Sequence, residues 1–343
     1  MTETKERPVI HEDHQWLEAV QEEIIDPGRP IIDPHHHLWQ RRRGSDYVLS
    51  DFWADTDSGH NIVSSVFIEC HTNYLEDGPE HLRPVGETQF VADIAAQSRL
   101  GDANQCRVAA IVAGGDLCLE AALVEELLAV HQHEGKGLFR GVRHAGAWED
   151  DGDFLLIRGR GPKGLYSNKN FRKSVRLLGA KGFTYDTWHY HHQNQSFLDF
   201  VKAVPDTTIV LDHFGTPLGV GPYAGKRAEI FQQWKKDIAD IAQCPNVYAK
   251  LGGLAMPDNG FGWNLRDVPP SSDEFVAAQK DYYLHTLDCF GPDRCMFESN
   301  FPVDKYSLSY HVVWNAFKKM SDGFSDSEKD ALFFKTAEHV YGL

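Results

Sequence analysis

Residues 31–37 read Ile31-Ile32-Asp33-Pro34-His35-His36-His37. Two β-branched apolar residues give way, within seven positions, to a carboxylate, a proline and three imidazoles. A short apolar run that turns ionisable at its end is what a doubly buried parallel strand shows where its C-terminal end opens on a site. In extended backbone His35 and His37 stand at i and i+2 and share one face, while His36 points the other way. Two imidazoles on one face can share a metal ion or flank one small substrate.

The same signature repeats. Apolar runs follow at 63–69 (VSSVFIE), 108–112 (VAAIV), 139–143 (FRGVR), 182–186 (GFTYD), 208–213 (TIVLDH), 247–251 (VYAKL) and 295–299 (CMFES). With the first run they make eight, and each interval has room for one helix. Helical apolar spacing is visible at 89–100, 117–133, 197–204, 228–244, 272–290 and 326–340. Eight strands alternating with helices predict an α/β chain folded as one (β/α)8 TIM barrel over residues 30–343, with residues 1–29 as an N-terminal arm. A doubly wound open sheet is disfavoured, because its first strand should run into a Gly-rich turn rather than a His-rich one. Two long loops, 39–60 and 254–272, are expected at the barrel's C-terminal face, where lids and binding loops are found.

Seven of the eight runs end in an ionisable group. Besides the first, the ends carry Glu69, Arg143, Asp186, Asp212 with His213, Lys250, and Glu298 with Asn300 two residues on. Arg143 and Lys250 suit a substrate carboxylate or a polarised carbonyl, and equally the neutralisation of Glu69 or Glu298 inside the barrel. The Gly-rich stretch at 215–226 lacks the spacing and the Ser/Thr of a phosphate loop. No G-x-S-x-G nucleophile elbow occurs.

Composition narrows the class. The 343 residues carry 34 Lys and Arg against 50 Asp and Glu, a net charge of −16, which excludes the basic footprint of a general nucleic-acid binder. No stretch approaches the roughly 20 apolar residues of a membrane span, and the first residues lack a secretory h-region. The six cysteines form no C-x-x-C and are read as reduced thiols, so a cytoplasmic protein is expected. The 18 histidines, with 8 Trp and 12 Tyr, point to a polar, aromatic-lined site for a small anionic or polar molecule. A homo-oligomer is left open.

The segments IIDPHHHLW, VFIEC, GVRHAGAW, FTYDTWHYHHQ, IVLDHFGTPLG, NVYAKLGGLAMP and RCMFESNFPVDK, in this order from the first strand to the eighth, resemble the amidohydrolase-related family of TIM-barrel hydrolases. The likeness is greatest to its sugar-lactone and pyrone-lactone hydrolase branch. The resemblance places the family's first-strand His-x-His on His35 and His37 and its sixth-strand His on His213. Its fifth-strand His falls on His189 or His191, with His191 favoured. The family's eighth-strand Asp falls on Asn300, a departure, because an amide cannot take a proton from water. Either the base is then Glu298, Asp304 or a His, or the activity is altered. The resemblance implies a hydrolase that opens a lactone or related carbonyl compound with an activated water. In that reading His35, His37, His213, Glu298 and Asp304 are catalytic, and Glu69, Arg143, His191, Lys250 and Asn300 contact substrate. It leaves open a divalent metal, zinc first, on His35, His37 and His213, and implies no organic cofactor. Two other readings stand beside it: a metal-dependent decarboxylase of aromatic or unsaturated acids, and a non-catalytic binding barrel.

Overall fold

The computed structural model describes residues 14–42 and 45–343. Eight parallel strands follow one another around the barrel in chain order: β1 (Pro30–His36), β2 (Asn61–Ile68), β3 (Arg107–Gly114), β4 (Phe139–Arg143), β5 (Thr184–Thr187), β6 (Ile209–Leu211), β7 (Val247–Leu251) and β8 (Cys295–Phe297). The ring closes just beyond β8. There His36 bridges Phe301 in parallel, His37 N–H donates to the Phe301 carbonyl at 2.8 Å, and Asn300 N–H donates to the His35 carbonyl at 3.0 Å.

The strands alternate as a doubly covered sheet must. One parity, including Phe67, Ile111, Val142, Tyr185, Ile209 and Leu211, packs outward under the helices. The other parity fills the interior with Ile32, Val66, Ile68, Ala110, Val112, Val210 and Met296. Ala337 and Tyr341 of the C-terminal helix Thr336–Tyr341 close the bottom of that interior. Two residues further along the same inward faces, Val210 gives way to Asp212, Tyr248 to Lys250 and Met296 to Glu298. The barrel axis therefore runs from an apolar floor to a charged mouth. Close strand packing constrains backbone as well: a Cβ at Gly141 would lie 2.1 Å from Thr184 Oγ1.

The expected helices are present, with Ser272–Phe290 at the predicted limits. The C-terminal helix expected over 326–340 is instead broken into Asp326–Asp330, a π turn at Ala331–Lys335, and Thr336–Tyr341. Within the first long loop, Trp39–Arg42 and Ser45–Tyr47 pair as an antiparallel ribbon. The second is a packed loop rather than a loose cover. Asp258 is 4% exposed, and its carboxylate accepts Leu156 N–H at 2.8 Å and Ile157 N–H at 2.7 Å, tying this loop to the one after β4. Residues 1–13 of the arm lie outside the described residues. The rest of the arm docks on the late helices, with Glu22 taking bonds from Ser272 and Asn315. No helix among the described residues is long and apolar enough to cross a membrane.

Candidate active site

The irregular register between Asp33 and His36 turns the end of β1 into the mouth. Asp33 is buried as an anchor. It accepts from Ser299 Oγ at 2.6 Å, Ser299 N–H at 3.0 Å and Tyr310 Oη at 3.0 Å, stitching β1 to the β8 end. His35 and His37 then come together, ring centroids 5.0 Å apart, while His36 leaves the site and stacks on Phe52 at 4.1 Å. His213 adds a third imidazole, 4.5 Å from His35 between centroids. It stands at φ +54°, just past β6, and its ring lies over Gly253, where a Cβ would sit 2.2 Å from Nδ1.

Glu298 stands behind two of these rings. Its Oε1 accepts from His213 Nδ1 at 2.7 Å, and its Oε2 lies 2.6 Å from His35 Nδ1. The second contact is off the line of a hydrogen bond, so Oε2 is a buried carboxylate oxygen without a donor. His37 is held differently. Its Nδ1 is 2.8 Å from the Ile68 carbonyl, so Nδ1 carries a proton, and in the neutral ring Nε2 has the lone pair.

Beneath and beside the imidazoles runs a ladder of charges. Lys250 Nζ is 2.9 Å from Asp186, 3.2 Å from Asp212 and 3.4 Å from His35 Nδ1. Tyr341 reaches up from the floor to give Asp186 a bond of 2.6 Å. Arg143 Nε donates to Glu69 Oε1 at 2.8 Å and Nη2 to the Glu69 carbonyl, while Nη1 faces Asp212 Oδ2 and His35 Nε2, each at 3.4 Å. Those contacts engage four of the five guanidinium N–H groups and leave one Nη2–H for a ligand.

Burial sets the protonation. It drives His213 down to about 3 and holds His35 well below the ordinary imidazole range, so both rings are neutral. Burial likewise pushes Glu298 up to about 8 and Asp212 up to about 6. For Lys250 burial opposes the charge, but Asp186 and Asp212 outweigh it and keep the ammonium. Four carboxylates, Glu69, Asp186, Asp212 and Glu298, thus surround two cations, Arg143 and Lys250. The mouth has a surplus of buried negative charge that a proton or a cation relieves.

Above these groups opens a narrow cavity walled by His37, Glu69, His71, Arg143, His213 and Asn300, with Trp188, Met256 and Arg160 at its sides. It continues into an outer chamber of about 690 Å³, with Glu69, His71, Arg143 and Arg160 common to both.

The structure thus brings His35, His37, His213, Glu298, Glu69, Arg143 and Asn300 to one mouth, and sets the other expected site residues elsewhere. Lys250 is fully buried under His35 and off the cavity wall. Asp304 lies behind Asn300, accepting Asn300 Nδ2–H at 2.8 Å and Ala255 N–H at 3.2 Å. His191 accepts Leu218 N–H at 3.2 Å and packs on Tyr223, away from the cavity. His189 is engaged by Tyr166 and Asn194. The reason is a backbone clamp: Gly146 and Ala147 N–H both donate to the Trp188 carbonyl, so the loop after β5 offers Trp188 to the cavity. Trp188 and Arg160 were not singled out from sequence, and His71, read there as part of the second strand's polar end, was not given a site role. His71, two residues beyond Glu69, carried a readable signal.

The groups close enough to share an ion differ from the expected set of His35, His37 and His213 in one member. Among the described residues at the mouth, the side chains that could hold an ion together are His35, His213 and Glu298, with Glu298 in place of His37. The donor-less Oε2 of Glu298 and the surplus of carboxylates fit a divalent cation there.

The fold and the site define a TIM-barrel hydrolase. A family model described as amidohydrolase matches residues 32–343, and the chain belongs to that family. It is 31% identical over 332 residues to the uncharacterized protein y4mH of Sinorhizobium fredii, covering 91% of this chain and 98% of that one. It is 27% identical over 330 residues to L-fucono-1,5-lactonase of Burkholderia multivorans, covering 92% and 97%. A crystal structure of an amidohydrolase from Burkholderia multivorans with bound zinc superimposes with a TM-score of 0.70 at 22% identity, over 92% of this chain and 100% of that one. At that identity the likeness speaks for the fold.

Proposed function

We propose that this hydrolase opens a lactone, adding water to the ring carbonyl. The observation that carries the reading is the cavity wall: an imidazole whose Nδ1–H is fixed on the Ile68 carbonyl, His37, stands beside two N–H donors, Asn300 and Arg143. The full-length likeness to an L-fucono-1,5-lactonase supports a sugar lactone as the substrate class. His37 Nε2 takes the proton of the attacking water. Its Nδ1–H bond to Ile68 holds the lone pair in place through the step. The remaining Nη2–H of Arg143 and the second amide N–H of Asn300, whose first is on Asp304, stabilise the developing oxyanion. His213, seated on Gly253 and oriented by Glu298, presents its Nε2 edge to the same space. In this reading Glu298 and Asp304 act through His213 and Asn300 rather than on water.

Asn300 in place of the family Asp fits this division. The position is left-handed, φ +55°, and its side chain supplies a donor where a carboxylate would face Asp304. A divalent cation, zinc first, would be held by His35, His213 and Glu298. When bound it would polarise the carbonyl as a Lewis acid. A zinc-containing relative of the same fold supports that reading.

The test is product analysis. Sugar lactones incubated with the protein should yield the ring-opened hydroxy acid without loss of carbon dioxide, and metal content before and after chelation shows whether activity follows the cation. Release of carbon dioxide from an aromatic or unsaturated acid, with no lactone opened, would replace this reading by the decarboxylase one.

A further inference from the structure

We propose that His71 is the general acid that protonates the departing ring oxygen when the lactone opens. This rests on the lactonase reading above. His71 follows the end of β2 in a left-handed turn, φ +63°. The flanking Cys70 and Thr72 N–H groups both donate to Glu87 Oε1, at 2.9 Å each, which clamps the turn. The ring stacks on Tyr74, centroids 5.2 Å apart. Its Nδ1 lies 3.0 Å from Glu69 Oε2, and Glu69 is locked from the other side by Arg143. The contact is an ion pair off the line of a hydrogen bond; it turns Nδ1 toward Glu69 and leaves Nε2 as the nitrogen that can deliver a proton.

Position and depth suit that task. His71 walls both the catalytic cavity and the outer chamber, which gives the alcohol half of an opening ring room beside it. Its side chain is 47% exposed, so water can restore the proton after each turnover. The groups that face it are Glu69 and Glu87, which favour the imidazolium, Arg160, which opposes it, and His144, with Arg143 behind Glu69. The Glu69 carboxylate dominates and raises His71 above the ordinary imidazole value.

The step balances. Water supplies the hydroxyl on the acyl carbon and its proton goes to His37 Nε2. As the acyl C–O bond breaks, its electron pair stays on the ring oxygen, which takes the Nε2 proton of His71. The imidazole formed at His71 takes a proton from solvent and His37 gives its proton to solvent, so both rings return to their starting states. An alkyl alkoxide needs this proton at neutral pH, whereas a phenolate leaves without it.

The experiment compares a sugar lactone with dihydrocoumarin, whose leaving group is a phenolate, in wild type and His71→Gln of matched melting temperature. The variant should lose roughly 10²-fold in kcat on the sugar lactone and less than about 3-fold on dihydrocoumarin. Wild-type kcat on the sugar lactone should fall as pH rises through the His71 pKa, and that fall should vanish in the variant. Equal losses on both substrates would refute the acid role and leave the lactonase reading standing. Wild type inactive on both would refute the lactonase reading and this proposal with it.

Discussion

Two carboxylate–imidazole pairs sit at the same mouth, Glu298 with His213 and Glu69 with His71, at nearly equal nitrogen–oxygen distances of 2.7 and 3.0 Å. In the first pair both partners are buried, and the cost of burying charge drives the imidazole neutral and raises the carboxyl. In the second the imidazole is half exposed, and although burial opposes the Glu69 charge, Arg143 and His71 hold that carboxyl well below its usual range. One motif therefore yields a neutral ring at depth and a cationic ring at the rim. Depth and the neighbouring cation decide which.

The deep pair carries the largest expected effect. His213→Ala should lower kcat/KM by roughly 10²–10⁴-fold, the range for a group that moves or orients a proton. Folding should be little changed, because the apolar floor around Val66, Val112 and Met296 is untouched. A melting curve and initial rates check both. Next comes Gly253→Ala. A Cβ there would lie 2.2 Å from His213 Nδ1 on backbone with φ +73°, so the ring must move. Displacement of about 1 Å is enough for losses up to about 10²-fold, with kcat falling more than KM rises. Unchanged kinetics would show that the position of His213 does not matter.

Asn300→Asp tests the donor role between the two pairs. It removes the N–H given to Asp304, whose carboxyl burial holds well above the usual range, and sets two carboxylates face to face. The loss of that bond and of the amide N–H offered to the oxyanion predicts a fall of about tenfold or more in kcat/KM, steeper at high pH as both groups try to ionise. A more active variant with tighter metal binding would instead make position 300 a vacated ligand.

The smallest effect belongs to the clamp of the rim pair. Burial, and then the Glu69 carboxylate, push Glu87 up to about 7. Because its folded pKa lies above the ordinary carboxylate value, the stability it contributes is present at low pH and lost as pH rises through about 7. Glu87→Gln keeps the Oε1 acceptor for Cys70 and Thr72 and removes the titration. It should flatten the fall in melting temperature between about pH 5 and 8 and leave kcat nearly unchanged.

The deep pair and the barrel around it were legible in sequence, and the rim pair was only half so. Strands covered on both faces are continuous apolar runs, and the switch to charge at Asp212, Lys250 and Glu298 shows where each reaches the mouth. The i and i+2 spacing rightly paired His35 with His37, because that stretch is extended. Such parity fails where the chain turns left-handed, as at His71, His213 and Asn300. Nor does spacing reveal which ring of Trp188, His189 and His191 enters the cavity, since tertiary bonds from Gly146 and Ala147 decide it. Lys250 and Arg143 read alike in sequence. Their depth separates them, one under His35 and the other on the wall.

The most direct test is proton release from five- and six-membered sugar lactones at neutral pH, measured side by side for wild type and His37→Ala. Wild type should open at least one lactone with kcat/KM of about 10⁴ M⁻¹s⁻¹ or more. His37→Ala, folded, should lose roughly 10²-fold or more of that activity. Failure of wild type on every lactone, or equal turnover by the two proteins, would contradict lactone hydrolysis at this mouth.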